Sequence, residues 1–377
     1  MRKIYVVMLM LCALTVSLQG CRSHEIQTPF PTTTIIDNVL STPTATTTPT
    51  SQVAYGQWDE HYMRYDYLWF ANNDGSDRRV AFDWLGFTEG FTFLPDGSGM
   101  LVWSNEVLGG YFQQYINASL ETNLPGPCVT CSIEDVTYPP FISPDGYKMA
   151  VITKTGLHVA NLDGTDVQQI IPMDRRRGYC IGPVTWSPDG QFISVAVFDI
   201  DTGTHIFRVR RDGSDLVNLT QAQGPYEDFA NPAWSPNGEL IVYVSGDHTI
   251  RIMATDGTNV RNIAEIIPDT EVWDAASGEP PHWSPNGSKL LFYSAVEPDG
   301  RADIIVINAD GTGWTNLTNT PDARDWDPVW SPDGTQIAFL TDRDGNTEVY
   351  VMNADGSNPV NISQSPETEE GSPLWRP

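Results

Sequence analysis

The sequence predicts an all-β protein, a seven-bladed β-propeller, with six blades as the alternative if the weakest unit, residues 83–124, is an insertion. One unit recurs along almost the whole chain, and its turn prolines lie 44 to 49 residues apart. A fixed period of this size is typical of repeat architectures. Each unit holds four short runs of β-branched and aromatic residues between Gly, Pro and Asp. No repeat carries the 3.6-residue apolar period of a helix over ten residues.

The first two runs of a unit are joined by a Ser-Pro-Asp-Gly turn. Proline presets φ at the second position of a type I turn, and glycine accepts the left-handed conformation at its end, so this turn predicts a hairpin. In five units the first run ends at a tryptophan: Trp186, Trp234, Trp283, Trp330 and Trp375. The turn prolines are Pro95, Pro144, Pro188, Pro236, Pro285, Pro332 and Pro377.

The third run leads into an Asp-Gly-Ser or Asp-Gly-Thr turn, as at Asp212–Ser214, and a more polar fourth run follows. The second and third runs, such as Ile241–Val244 and Ile304–Ile307, are apolar without alternation. A sheet with one face in water would alternate apolar and polar residues. These runs therefore indicate small sheets that are stacked between neighbours.

The chain ends one strand out of phase with its start. The last unit stops after its first strand, at Leu374–Pro377, whereas Val53–Tyr55 resembles a second strand. We therefore expect the N- and C-terminal strands to share the closing blade, which removes the free edges of an open array. This defines a propeller domain over residues 53–377.

The Trp-Ser-Pro-Asp-Gly turn at Trp330–Gly334, followed by Asn353–Ser357, resembles the TolB-type propeller repeat of bacterial envelope proteins. The resemblance covers roughly residues 53–377 and implies a propeller that binds proteins or peptides. Some similar propellers are peptidases or lyases, so fold alone does not assign the activity. The departures are the missing tryptophans at Phe93–Pro95 and Ile142–Pro144, and the Asn for Asp exchanges at Asn237 and Asn286.

Residues 1–20 have the features of a secretory signal peptide. Two basic residues precede an apolar run from Ile4 to about Leu18, which is shorter than the roughly 20 residues of a membrane span. Cys21 follows Leu-Gln-Gly and resembles a bacterial lipoprotein cleavage site, where this cysteine is lipidated. An ordinary cleaved signal is the alternative. Residues 21–52 are rich in Thr and Pro, so we expect a solvated tether and a lipid-anchored, extracytoplasmic protein of the cell envelope.

The chain is strongly acidic, with a formal net charge of −27. Nucleic acid is therefore disfavoured as a partner, since phosphate binding needs a basic face. The charge favours basic partners or cations, or it serves solubility alone. Arg175–Arg177 is the exception, either as an anion site or as a balance for nearby acids.

Three cysteines remain once Cys12 leaves with the signal and Cys21 takes the lipid: Cys128, Cys131 and Cys180. They lie in links that precede the first strands of neighbouring blades, and the compartment is oxidising. We predict that Cys180 forms a disulfide with Cys128 or Cys131. A redox site lacks the usual strand–helix context, and a zinc site lacks a fourth ligand.

The longer links between blades are predicted to share the face opposite the short turns. They carry acidic and aromatic residues that could capture a basic peptide or a carbohydrate, because function often resides in loops on a rigid scaffold. The alternative is ordinary solvated loops whose aromatics pack between blades. The candidate ligand-binding residues are Glu227, Asp228, Trp273, Asp325, Trp326, Asp327 and Glu370.

No catalytic or metal site is predicted. A Gly-x-Ser-x-Gly elbow does not occur, and His282 is a single candidate rather than a cluster. Asp342–Glu348 resembles a calcium loop without the full EF-hand spacing, so no cofactor is predicted and calcium is the alternative. We expect a monomeric, noncatalytic module that binds a protein, peptide or glycan. An envelope carbohydrate-active enzyme, a lyase or hydrolase, is the alternative.

Overall fold

The computed structural model describes residues 51–59, 64–82, 88–106, 110–117, 129–130, 138, 140–173, 178–221, 228–247, 249–265, 280–295 and 302–377. The predicted signal peptide, the lipidation site Cys21 and almost all of the tether lie outside these ranges. The domain boundaries at residues 20 and 52 therefore stay predictions.

The described residues form 28 β-strands. The first fourteen are β1 (Gln52–Asp59), β2 (Arg64–Asn72), β3 (Arg79–Phe82), β4 (Thr88–Phe93), β5 (Gly99–Glu106), β6 (Gly110–Asn117), β7 (Val129–Thr130), β8 (Phe141–Ile142), β9 (Lys148–Thr153), β10 (Gly156–Asn161), β11 (Gln168–Pro172), β12 (Gly178–Trp186), β13 (Phe192–Asp199) and β14 (Gly203–Arg210). The others are β15 (Val217–Asn218), β16 (Phe229–Trp234), β17 (Leu240–Ser245), β18 (Thr249–Ala254), β19 (Arg261–Glu265), β20 (His282–Trp283), β21 (Lys289–Ala295), β22 (Ala302–Asn308), β23 (Thr315–Asn316), β24 (Asp325–Trp330), β25 (Gln336–Thr341), β26 (Glu348–Asn353), β27 (Val360–Asn361) and β28 (Glu369–Trp375).

These strands form antiparallel sheets in the order that the repeat predicts. Five sheets have four strands each: β8–β11, β12–β15, β16–β19, β20–β23 and β24–β27. An eight-stranded sheet has the order β28-β1-β2-β4-β5-β6-β7, with β3 also paired to β2. Among the described residues, its two sets of four strands are joined where Tyr65 pairs with Thr88. The all-β fold is confirmed, and the number of blades stays a prediction.

The two ends of the described chain lie in one sheet. β28 pairs antiparallel with β1, so that Val53 is opposite Trp375 and Ala54 is opposite Leu374. The backbone amide of Arg376 also donates to the Gln52 carbonyl at 2.9 Å. The prediction that the terminal strands share a sheet is therefore confirmed.

The Ser-Pro-Asp-Gly turns contact one another in sequence. The glycine of each turn lies against the proline of the preceding unit: Gly146 against Pro95, Gly190 against Pro144, Gly238 against Pro188, Gly287 against Pro236, and Gly334 against Pro285. Pro377 takes the place of such a proline and lies against Gly97. The C-terminal residue thus links the last unit to an early one on this face, which we call the turn face.

The core lies between neighbouring sheets. Strand β25 is buried at five consecutive positions, as expected for a strand that is covered on both faces. Val53 and Tyr55 of β1 pack with Leu340 of β25 and Val349 of β26. The first sheet is therefore packed on the β24–β27 sheet, which agrees with the pairing of the chain ends. In the described part of the chain, no helix has the length and apolar character needed to span a membrane.

The Asp-Gly turns are stabilised locally by their aspartates. Asp355, for example, accepts hydrogen bonds from the Ser357 hydroxyl at 2.6 Å and from its backbone amide at 3.0 Å. These donors favour the charged form and hold the pKa of Asp355 below its usual value. Part of the acidic charge of the chain therefore comes from aspartates whose charged form stabilises the turns.

Candidate functional site

The face opposite the turn face, which we call the link face, carries the connections between sheets and the loops between second and third strands. The seven ligand-binding candidates were predicted from the sequence to lie on this face. Glu227 and Trp273 lie outside the described residues. Asp228 is exposed, and its carboxylate accepts a hydrogen bond from the Thr204 backbone amide at 3.2 Å. Of the candidates, Asp228 thus best matches the expected exposed acid.

Asp325 was expected in an exposed link, and this expectation is wrong. It is the first residue of β24, and its side chain is fully buried. The Arg343 guanidinium donates to Asp325 Oδ1 at 2.8 Å, and the Thr320 hydroxyl donates to Oδ2. A buried carboxylate needs such partners, because burying an unpaired charge is costly. Asp325 therefore anchors the link face and is not available to a ligand.

Glu370 was also expected to be exposed, and it is only 3% exposed within β28. The Thr368 hydroxyl donates to Glu370 Oε1 at 2.9 Å. Burial raises the pKa of Glu370 to about 7, and the charge of Glu348 adds to the rise. This acid is therefore a buried proton-binding group beside a second carboxylate.

Glu348, at the start of β26, is tied to the link that precedes β28. Its carboxylate accepts hydrogen bonds from the Ser363 hydroxyl and, at 2.8 Å, from the Ser365 backbone amide. Arg78 donates to the Ser365 hydroxyl and, at 3.1 Å, to the hydroxyl of Tyr55 on β1. A polar network thus connects the β24–β27 sheet with the first sheet.

Trp326 and Asp327 are half-buried at an irregular part of β24. The register of β24 against β25 shifts between Trp326 and Val329, and Asp327 has φ of 49°. The guanidinium of Arg324, an exposed residue, lies 5.2 Å from the Trp326 ring centroid. This bulge places an aromatic ring and a cation at the edge of the link face.

The buried position of the two acids could have been found from the repeat. Counted back five residues from the strand tryptophan, Asp325 and Glu370 occupy the position of Phe229 in an earlier unit. Phe229 is fully buried. An apolar residue at the same place in one repeat indicates that the position faces the core in the others.

The segment that resembles a calcium loop, Asp342–Glu348, has its side chains directed to separate protein partners. Asp342 accepts from the Arg324 backbone amide at 2.7 Å, and Asp344 accepts from the Tyr350 hydroxyl at 2.5 Å. Asn346 donates to the Ser365 carbonyl at 2.8 Å. Within the described ranges, no group of three or more His, Cys, Asp or Glu could hold a metal ion.

Cys180 lies in β12 and is 4% exposed, without a disulfide partner among the described residues. Burial raises its pKa to about 12, so it is an unreactive thiol at neutral pH. Its predicted partners, Cys128 and Cys131, lie outside the described residues. The disulfide stays a prediction that non-reducing mass spectrometry can test.

The link face as described is therefore a rigid frame of buried polar contacts with a small exposed edge. Its exposed edge offers acids, an aromatic ring and one guanidinium. Such an arrangement can bind a ligand by shape, charge and ring contact.

Closed stacking of small antiparallel sheets defines the class of a β-propeller repeat protein. Residues 271–377 match the family model described as the TolB beta propeller domain. This match confirms the resemblance to TolB-type propellers over residues 271–377. Among curated proteins, an uncharacterized protein of Agrobacterium fabrum is 29% identical over 172 residues, which are 41% of this chain and 53% of that protein. The chain thus spans about half the length of this relative.

Solved structures support the fold. An oligogalacturonate lyase in complex with manganese has a TM-score of 0.57 at 14% identity, covering 83% of this chain and 85% of its own. A puromycin hydrolase mutant has a TM-score of 0.61 at 15% identity, covering 83% and 52%. At these identities the likeness concerns the fold alone.

Proposed function

We propose that this protein is a noncatalytic binding module of the bacterial cell envelope that recognises a protein or peptide on its link face. The observation that carries the proposal is the buried pair of Asp325 and Arg343. It fixes the start of β24, so that Trp326 is presented from a rigid position. A half-exposed aromatic on a rigid scaffold is a common anchor in recognition surfaces.

The charge of the exposed edge supports a basic segment as the ligand. Asp228, Asp322 and Glu367 are exposed on the link face, and the whole chain carries −27. Attraction of this kind raises association rates and excludes acidic partners. A peptide that carries Lys or Arg beside an apolar side chain matches both the acids and the Trp326 ring.

Attachment to the envelope is supported by the signal-like segment at residues 1–20, by Cys21 and by the family match. A fatty-acid label should be incorporated into the protein through Cys21. The Cys21→Ser variant should lose the label and leave the membrane fraction. Equal labelling of both proteins would contradict the anchor while leaving the binding proposal intact.

The binding proposal is tested by cross-linked capture from envelope extracts with Trp326→Ala and, separately, Asp228→Lys with Asp322→Lys. Loss of an anchoring tryptophan costs at least about 2 kcal/mol in typical interfaces, so recovery should fall about thirtyfold. Trp314→Ala is the matched control, because Trp314 is 50% exposed beside a turn on the opposite face. Charge reversal at Asp325 or Glu370 would disturb the fold and is unsuitable.

Recovery of the same partner by all variants would exclude the link face. An envelope carbohydrate-active enzyme is the alternative. Cleavage of a polysaccharide by the purified protein in a substrate screen would favour that alternative over a noncatalytic module.

A further inference from the structure

A groove on the turn face, between the β12–β15 and β16–β19 sheets, differs from the rest of the acidic chain. It encloses about 220 Å³. We call it the Phe192–Trp234 groove. Its walls include Pro188, Asp189, Phe192, Arg208, Trp234 and Asn237.

Arginine and aromatic side chains are stacked along this groove. The rings of Phe192 and Trp234 are stacked with centroids 6.3 Å apart. The guanidinium groups of Arg208 and Arg210 lie 4.8 Å and 4.6 Å from the Phe192 ring centroid. Arg210 is exposed. The groove therefore combines an apolar wall with cationic groups.

Two buried N–H groups of the groove have no acceptor: Arg208 Nε and Trp234 Nε1. The two other nitrogens of Arg208 are bonded, Nη1 to the Thr255 carbonyl at 2.7 Å and Nη2 to Asp215 at 2.9 Å. The guanidinium is thus held in place while Nε is left unpaired. Buried donors without partners are rare and mark strain or a missing acceptor.

The orphan indole is an exception within the repeat. The tryptophans at four other junctions donate to a carbonyl of the preceding unit: Trp186 to Phe141, Trp283 to Ala233, Trp330 to His282, and Trp375 to Val329. The Trp234 indole makes no such bond. Between these two units the Thr185 hydroxyl donates to the Pro232 carbonyl at 2.9 Å. The missing bond is therefore specific to this junction.

A second groove gives a matched comparison. It encloses about 420 Å³ and is lined by Pro285, Asn286, Lys289, Trp330 and Asp333. The position in the repeat is the same, but the Trp330 indole is bonded. No arginine lines it. Unpaired donors and arginines thus occur together only in the first of these two described grooves.

We propose that the Phe192–Trp234 groove is a binding site for a carboxylate joined to a small apolar group. The carboxylate supplies the oxygens that Arg208 Nε and Trp234 Nε1 lack, and the exposed Arg210 attracts its charge. The apolar group lies against the rings and Pro188. Asp189 does not take the place of the ligand: its Oδ1 accepts from the Ser187 hydroxyl at 2.6 Å and the Gln191 amide at 3.0 Å, and neither unpaired N–H group is bonded to it. The site is on the turn face, so it goes beyond the proposed function.

The same chemistry is presented by a free small acid and by the C-terminal residue of a polypeptide. Phenylacetate serves as the probe for the first source, with phenylacetamide as its neutral match. Acetyl-Gly-Phe with a free C-terminus serves for the second, with its C-terminal amide as the match. Binding of only one of the two acids assigns the source.

The readout is the indole N–H signal in proton–nitrogen NMR spectra of the tryptophan-labelled protein. Trp234→Phe and Trp330→Phe assign the two signals by their loss. Phenylacetate or the peptide acid should move the Trp234 signal and leave that of Trp330 in place. The amides should bind about tenfold more weakly, because charge-assisted hydrogen bonds are about twice as strong as neutral ones.

Arg210→Ala, an exposed change that leaves the core intact, should weaken the acid by a similar factor, and Lys289→Ala in the second groove should not. The proposal is overturned if neither acid moves the Trp234 signal at millimolar concentration. It is equally overturned if the amides bind as well as the acids, or if Trp330 moves together with Trp234.

Discussion

Asp325 of β24 and Glu370 of β28 occupy the same position of the repeat, yet their buried carboxylates have opposite surroundings. Asp325 has the Arg343 guanidinium at 2.8 Å. Among the described residues, Glu370 has no bonded cation, and burial raises its pKa to about 7, with the charge of Glu348 adding to the rise and that of Arg78 opposing it. The comparison teaches that one repeat position serves two purposes. With a cation bonded to the carboxylate it is a fixed ion pair, and with a buried carboxylate that has no bonded cation it is a proton-binding site.

The location of Glu370 gives this difference a consequence for the whole chain. Glu370 lies opposite Gln57 in the pairing of β28 with β1, the pairing that joins the two chain ends. Its protonation state is therefore linked to the stability of that pairing. The equivalent acid in β24 has no such link, since β24 pairs within a sheet of consecutive strands.

The largest effect is expected from Arg343→Ala. It leaves Asp325 buried without its cation and also removes the guanidinium 4.7 Å from the Tyr350 ring centroid. Breaking a buried pair on one side costs about 3–5 kcal/mol of unfolding free energy, measured here by urea denaturation. Adding Asp325→Asn should recover part of the loss. Arg324→Ala, an exposed change, is the control and should cost less than about 1 kcal/mol. Equal losses of unfolding free energy in Arg343→Ala and Arg324→Ala would contradict the assignment of Asp325 and Arg343 as a buried ion pair.

Glu370→Gln should have the next largest effect, and it should depend on pH. The folded-state pKa of about 7 lies above the ordinary value of 4.5, so the folded protein binds this proton more tightly than the unfolded chain. The contribution of Glu370 is therefore most favourable below about pH 4.5 and falls as the pH rises to about 7. A pKa raised from 4.5 to about 7 corresponds to about 3 kcal/mol.

The measurement is the unfolding free energy at pH 4 and pH 8 for the wild type and Glu370→Gln. The variant should be more stable than the wild type at pH 8, by up to about 3 kcal/mol, and nearly equal to it at pH 4. Glu367→Gln is the control at an exposed acid three residues earlier. Loss of stability in Glu370→Gln at pH 8 would mean that the folded protein needs the charged form.

The smallest effect should be the same in both strands. Trp330→Phe and Trp375→Phe each remove one indole hydrogen bond to the neighbouring sheet and keep most of the ring. Each should cost about 0.5–1.5 kcal/mol in denaturation experiments. Similar losses of unfolding free energy in the two variants would show that β24 and β28 differ at the buried acid and not at the tryptophan. A much larger cost in one strand would show that the strands differ along their length.

Most of the architecture could be predicted from the sequence because the same pattern of strands and turns recurs in successive repeats. The Ser-Pro-Asp-Gly and Asp-Gly-Ser turns specify hairpins by local backbone geometry, and the phase of the two chain ends specifies the pairing of β1 with β28. The number of blades stays a prediction, since one backbone pairing joins two sets of four strands.

The site could be predicted less well, because burial depends on partners that are distant in sequence. Asp325 follows Pro321, Asp322 and Arg324, and a proline next to charged residues is typical of an exposed loop. Its burial depends on Arg343, and that pairing has no local signature. For Glu370 the surrounding glutamates suggested a solvated link, whereas comparison with Phe229 would have indicated a core position.

The central claim, that the chain closes on itself, is tested most directly by a disulfide between Ala54→Cys and Leu374→Cys in a background without the native cysteines. These residues are direct partners in the β1–β28 pairing, at a spacing that a disulfide can bridge. Mild oxidation should give an intramolecular cross-link with a mobility shift on non-reducing gels. In the control pair, Ala54→Cys with Val260→Cys, Val260 directly precedes β19 of another sheet, so this pair should stay reduced. A folded Ala54/Leu374 double variant that gives no more cross-link than this control would contradict the closed propeller.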